Sequence, residues 1–268
     1  MCRKVLLFFI VLWHFAVLAE GLEPLAEKDV ELRDGRYVLI QSGQTASGQL
    51  ESRDPEGVLT KRVELKDGLV DGAVTWFHPD GTVRLRGKQV EGKWEGLYEV
   101  FWPTGILRVR GSYSGGRLSG ADEIFFETGV LSYRLSYHEG ALHGPYEAFH
   151  EDGSLQQRSD YVRNLRHGLH EEYHPGGLLH RRVEFNHGVE HGVYERFDAE
   201  GQLLEKGRHE YGLRAGTWEE YWTNGQLRER ANYVDGRREG DVEVFHGNGR
   251  PAGSIRFKQG VPEDLQPD

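Results

Sequence analysis

Short runs rich in aromatic and aliphatic residues recur along the chain, such as Leu97-Tyr-Glu-Val-Phe101 and the strictly alternating Leu107-Arg-Val-Arg110. Alternation with period two reads as half-buried β-strands. Each run is bounded by Gly, and the runs return every 24 residues. An aromatic stands at Phe77, Phe101, Phe125, Phe149, Tyr173, Phe197, Tyr221 and Phe245. Six residues later an aliphatic follows each of the first seven, from Val83 and Leu107 to Leu227, and Pro251 takes that place in the last. Between the two lie turn triplets such as Pro79-Asp-Gly and Thr223-Asn-Gly, which is a β-hairpin signature.

Glycine marks the period. One column holds Gly68, Gly92, Gly116, Gly140, Gly188, Gly212, Gly236 and Gly260, with Asn164 as its only break. Asn is the residue best able to replace Gly at positive φ. A second column runs unbroken from Gly48 to Gly240, and a third from Gly57 to Gly249. These columns exclude helices, since no stretch of helical length escapes a Gly. The sequence predicts an all-β chain: an elongated single-sheet meander of stacked β-hairpins, about nine units of 24 residues. Two strands per unit at the usual spacing give a sheet roughly 85 Å long. Residues 44–259 form the repeats and 20–43 a capping hairpin turning at Asp34-Gly35. Residues 260–268 form an acidic, Pro-bearing tail suited to blunting a sheet edge.

Two charged columns accompany the apolar ones. Glu recurs at Glu51, Glu99, Glu123, Glu147, Glu171, Glu195, Glu219 and Glu243, with Thr75 as the exception. A basic residue recurs at Arg62, Arg86, Arg110, Arg134, Arg158, Arg182, Lys206 and Arg230. A two-residue turn at Asp80-Gly81 sets the acidic and basic columns opposite each other. The prolines Pro79, Pro103 and Pro175 favour a three-residue loop, which sets the Phe column opposite the Leu column instead. Both registers remain open at this point.

The run Gly-x-x-x-Gly-x-[Tyr/Trp]-Glu-x-[Phe/Tyr]-x-x-x-Gly-x-Leu, as in Gly92–Leu107, Gly140–Leu155, Gly188–Leu203 and Gly212–Leu227, resembles the variant MORN repeat. It is the repeat of proteins labelled YwqK-type antitoxins. The resemblance implies a sheet of stacked hairpins that acts as a protein- or membrane-contacting scaffold, and it brings no catalytic motif.

Charge and the chain ends narrow the function classes. The formal charge of −10 lacks the basic footprint of a nucleic-acid binder. Arg3 and Lys4 precede an apolar run from Val5 to Ala19 that ends Val17-Leu-Ala19, which reads as a signal peptide over residues 1–19. The product is then exported to the periplasm, envelope or exterior, and contacts a membrane only through this segment if it stays uncleaved. Cys2 is the only cysteine and lies in the leader, so the repeats contain no thiol.

Candidate chemistry is sparse. The carboxylates of the Glu column repeat in equivalent settings, whereas an acid/base pair needs two different ones. The 13 histidines cluster, nine of them between His138 and His191. His143, His167 and His191 are 24 residues apart, roughly 9.6 Å along the sheet, too far for one metal. The reading is a non-enzyme without cofactor or metal that binds a protein, peptide or glycan. The Phe column reads as packing, and Tyr98, Tyr146, Tyr194 and Trp218 read as the exposed contact residues, since aromatics dominate binding surfaces. Alternatives are an antitoxin or immunity-type inhibitor and a structural envelope protein without a ligand.

Overall fold

The computed structural model describes residues 23–263. The proposed leader and the end of the acidic tail lie outside the described residues. Apart from one 3-10 turn at Glu27–Asp29, the regular structure is β throughout. A single open meander runs from Gly48–Arg53 to Val261–Pro262, each strand antiparallel to its neighbours in sequence. At the first edge Leu25–Ala26 pairs in parallel with Leu50 and Glu51. Val30–Arg33 and Arg36–Leu39 form a separate hairpin, and Val30 joins Ala46, Leu50, Val63, Leu65 and Val74 in a compact apolar cluster. The most extensive apolar packing therefore sits at the N-terminal end.

Two kinds of turn alternate. The Gly-x-x-x-Gly segment opens with a two-residue turn whose residues both have positive φ, as in Glu91 (49°) and Gly92 (77°), the requirement of type I′. Asn164 meets it with φ 68°. The second turn residue also donates its N–H to the carbonyl of the residue 22 positions earlier: Gly92 to Val70 at 2.8 Å, Asn164 to Leu142 at 2.9 Å. Each turn is thus bonded to the one before it, and the turns stack into a row.

At the other turn both registers are realised. In the hairpin around Asp80, His78 N–H donates to Thr82 O at 2.8 Å and Gly81 N–H to His78 O at 2.9 Å, a type I turn followed by a left-handed Gly. The loop has three residues, and Phe77 faces Val83. The register then shifts, so that Trp76 faces Leu85 and Thr75 faces Arg86. The extra residue is a β-bulge at Arg84. The same shift recurs in every repeat, for example Phe101 with Leu107 and Glu99 with Arg110. Neither simple register held alone. The bulge puts the Phe, Leu, Glu and basic columns on one face together.

That face carries a ladder of alternating charge. Glu99 accepts from Arg86 at 2.6 Å and lies 3.4 Å from Arg110; Arg134 spans Glu123 and Glu147 at 3.6 and 2.9 Å. Arg158, Glu171, Arg182 and Glu195 form one continuous run, and Lys206, Glu219, Arg230 and Glu243 another. The basic partners are about half exposed, so single pairs contribute roughly 0–1 kcal/mol. Glu219 is drawn further in. Burial pushes its carboxyl up, but the Tyr221 hydroxyl, Lys206 and Arg230 outweigh this and hold it at about 2.

Candidate functional site

The opposite face holds a column from Leu50 through Val74, Tyr98, Asp122, Tyr146, His170, Tyr194 and Trp218 to Val242. Its cross-strand partners are matched in size. Tyr98 faces Gly111, Tyr194 faces Gly207, Trp218 faces Ala231 and Tyr146 faces Ser159; where the column narrows to Asp122, the partner is Leu135. Rings lie over the small residues and touch along the sheet. The centroids of Tyr98 and Tyr113 are 4.9 Å apart, and those of Tyr194 and Trp218 are 5.1 Å apart.

The expected exposure of the four contact residues is corrected here. Trp218 is 3 % exposed, with its Nε1 bonded to Arg208 O at 3.1 Å, and Tyr98, Tyr146 and Tyr194 are half-buried. The reason is aromatic size: at two strands per repeat, each ring spans the gap to the next repeat and is covered by it. Burial raises the hydroxyls of Tyr98, Tyr146 and Tyr194. The structure brings Tyr194 and Trp218 into contact, while Tyr98 and Tyr146 are separated by Asp122 in their column.

Two polar side chains interrupt this face: Asp122, which the sequence reading passes over, and His170, which it counts only among the clustered histidines. Asp122 is 4 % exposed; its Oδ2 accepts from Tyr98 OH at 2.8 Å, and its Oδ1 has no partner among the described residues. Burial raises its carboxyl, with Tyr98 pulling the other way. His170 is 1 % exposed and sits between Ser159 Oγ, 2.6 Å from Nδ1, and Glu172 Oε1, 2.9 Å from Nε2. Glu172 accepts, so the neutral imidazole carries its proton on Nε2, and Ser159 donates to Nδ1. A Ser–His–Glu chain has the parts of a nucleophile relay. Ser159 is itself only 4 % exposed, and its hydroxyl is engaged with His170. The available signal was a polar residue in an otherwise apolar or aromatic column.

His170 has a testable consequence. Burial pushes its imidazole below the ordinary value of 6.5, against the pull of Glu172, and burial does the same to His209. The unfolded chain then binds more protons than the native one as pH falls below 6.5, so stability declines. Glu219 contributes only further down, from about 4.5 towards about 2. The melting temperature should therefore drop between pH 7.5 and 5.5, and less so in His170→Phe. An unchanged drop in the variant would clear His170.

The other histidines gather at the turns. His174 and His180 approach to 3.1 Å between ring nitrogens, with His174 3.4 Å from Phe197 O. Along the type I′ row, His138 lies beside His143, His167 beside His187 and His191 beside Tyr211. His143, His167 and His191 are not brought together, and no group of three or more metal-ligating side chains converges among the described residues.

The family model described as MORN repeat variant matches residues 142–163, 190–210 and 214–235. No curated protein matches. Among solved structures, the crystal structure of TcdB2-TccC3 shares 10 % identity at a TM-score of 0.20, covering 88 % of this chain and 18 % of that one. The crystal structure of TcdB2-TccC3-Cdc42 shares 12 % at 0.16, covering 87 % and 15 %. The chain spans less than a fifth of either, and likenesses of this size carry no argument.

Proposed function

We propose that this chain, whose repeats belong to the MORN repeat variant family, is an exported, non-catalytic scaffold that binds a partner protein along its row of type I′ turns. Export rests on the sequence of residues 1–19. The observation that supports the binding edge is a change of character along the row. One column reads Leu69, Lys93, Arg117 and Ala141, then Leu165, Val189 and Leu213 in three successive repeats, before returning to Arg237; the three apolar side chains lie over the turn glycines Gly188, Gly212 and Gly236. These three side chains are 45–49 % exposed, and Tyr211 beside them is 85 % exposed. Aligned exposed apolar side chains mark protein contacts more often than single ones do, and a freely exposed Tyr is a common anchor. Repetition suits the task because each hairpin adds a similar contact area to a rigid edge.

The test is a double variant, Tyr211→Ser with Leu213→Ser, compared with wild type in capture from an envelope extract. A photo-crosslinker at position 211 identifies what the wild type touches. Capture should be lost with melting unchanged, because surface substitutions of this kind shift stability by only about 0.5 kcal/mol. Equal capture by the variant would refute the assignment.

A further inference from the structure

Along the row of type I′ turns, several are tied down by a side chain of the preceding repeat. The N–H of the first turn residue is donated to a side chain 20 positions earlier. Asp67 donates to Ser47 at 3.0 Å, Glu91 to Asp71 at 3.3 Å, Gly115 to Glu95 at 2.7 Å and Gln259 to Glu239 at 2.8 Å. Three of these acceptors are carboxylates. The same column then reads His143, His167 and His191 in successive repeats. Among the described residues no side chain accepts from the N–H of Arg163, His187 or Tyr211, nor from Glu139 and Asp235, where the column holds Ser119 and Ala215.

The Arg163 turn adjoins an open cavity, as does the equivalent Asp235 turn, and differs from it in lining, since His143 and Arg163 stand here where Ala215 and Asp235 stand there. The cavity at Arg163 has a volume of about 700 Å³ and is lined by His138, His143, Arg163, Ser136 and Tyr137, with Glu139 as its one carboxylate. The rings of His138 and His143 are 5.9 Å apart. Arg163 makes no ion pair among the described residues, in contrast to the arginines of the charge ladder such as Arg86 and Arg134, and like Arg117 and Arg237 on the same row of turns. Its backbone is left-handed at φ 50° and is followed by Asn164 at 68°. The Asn164 Oδ1 accepts from Leu142 N–H at 2.7 Å and its own N–H reaches Leu142 O at 2.9 Å, which pins the turn to the preceding repeat. An arginine with no ion pair and a free backbone N–H thus lines one cavity with two histidines, beside a pinned turn.

We propose that this turn binds an acidic side chain of a partner peptide, whose carboxylate takes the place that Asp71, Glu95 and Glu239 fill within their own repeats. Arg163 supplies its N–H and guanidinium, and charge-assisted bonds to a carboxylate are the stronger kind. His138 and His143 each add one ring N–H when neutral. The carboxylate is favoured over other oxyanions because the chain itself uses a carboxylate at the equivalent point of three other repeats. This goes beyond the apolar contact proposed above, and the two fail separately: loss of capture through Tyr211 and Leu213 leaves the Arg163 turn intact.

The experiment titrates the isotope-labelled full chain with acetyl-Glu-Glu-amide and, separately, with inorganic phosphate, following the amide resonance of Arg163. The peptide should shift it saturably. Arg163→Ala should weaken binding by roughly tenfold or more. His143→Glu is the sharper variant. It rebuilds the internal carboxylate cap, so peptide binding should vanish while the melting temperature stays level or rises. A silent Arg163 amide, a peptide response undiminished in both variants, or a response to phosphate alone would each overturn the proposal.

Discussion

Trp218→Ala is expected to lower the folding free energy by roughly 3–5 kcal/mol, the usual cost of emptying a buried aromatic site. The indole is 3 % exposed, touches Tyr194, His209 and Tyr233, lies under the Arg214 guanidinium at 4.0 Å, and bonds to Arg208 O. Removing it also deprives that carbonyl of its indole donor. The hairpins on either side depend on it because a single-layer sheet has no second layer to fill the gap. Chemical denaturation of wild type and variant measures the loss, and a change below about 1 kcal/mol would mean the ring is dispensable. An exposed contact residue would leave stability untouched and weaken only a partner, so this measurement also separates packing from binding.

Gly207→Val should be comparably severe for the opposite reason. A Cβ at Gly207 would lie 2.3 Å from the Trp218 ring, inside any real contact distance. The residue sits between Tyr194, its cross-strand partner, and Trp218 on the next strand, and the two rings meet over it. Overpacking of a filled site costs roughly 1–3 kcal/mol, and a β-branched side chain against a buried indole falls at the upper end. The two substitutions share one space, so they should not add. Gly207→Val together with Trp218→Ala is expected to cost less than the sum by a coupling of roughly 0.5–3 kcal/mol. Strict additivity in the double-mutant cycle would show that Gly207 is kept for some reason other than the ring.

The legible parts of this protein are those governed by neighbours in the chain. The 24-residue period, the hairpins and the positive φ of Asn164 follow from turn chemistry, which acts over four or five residues. The register was half legible. Pro79 and Gly81 indicate the three-residue loop, and the opposed charges of Glu99 and Arg110 indicate the tighter one; the bulge that admits both leaves no residue type of its own, since its position holds Arg84, Arg108 and Ser132 in turn. A fourth, partial glycine column, Gly87, Gly111 and Gly207, is also visible in the sequence, but its purpose is not. Only the rings and the carboxylate that lie over it, from Trp94 to Asp122 and Trp218, explain why those repeats have no side chain there.

The candidate sites were less legible. Tyr98, Tyr146, Tyr194 and Trp218 were identified as one column, and their face was assigned the wrong exposure. Alternation shows that two faces differ and does not show which is covered, because cover comes from the next repeat across the sheet. His170, Ser159 and Glu172 form their chain across two strands, and Arg163 gains its meaning from a missing carboxylate 20 residues away. The sequence by itself therefore determined the unit, its turns and its ninefold repetition, since these depend on backbone conformations that few residues tolerate. The tertiary structure alone decided which aromatic rings are buried, where the register shifts and which turns are left with unpaired donors. Those properties arise between repeats, where contact depends on side-chain size and reach across strands, and not on adjacency in the chain.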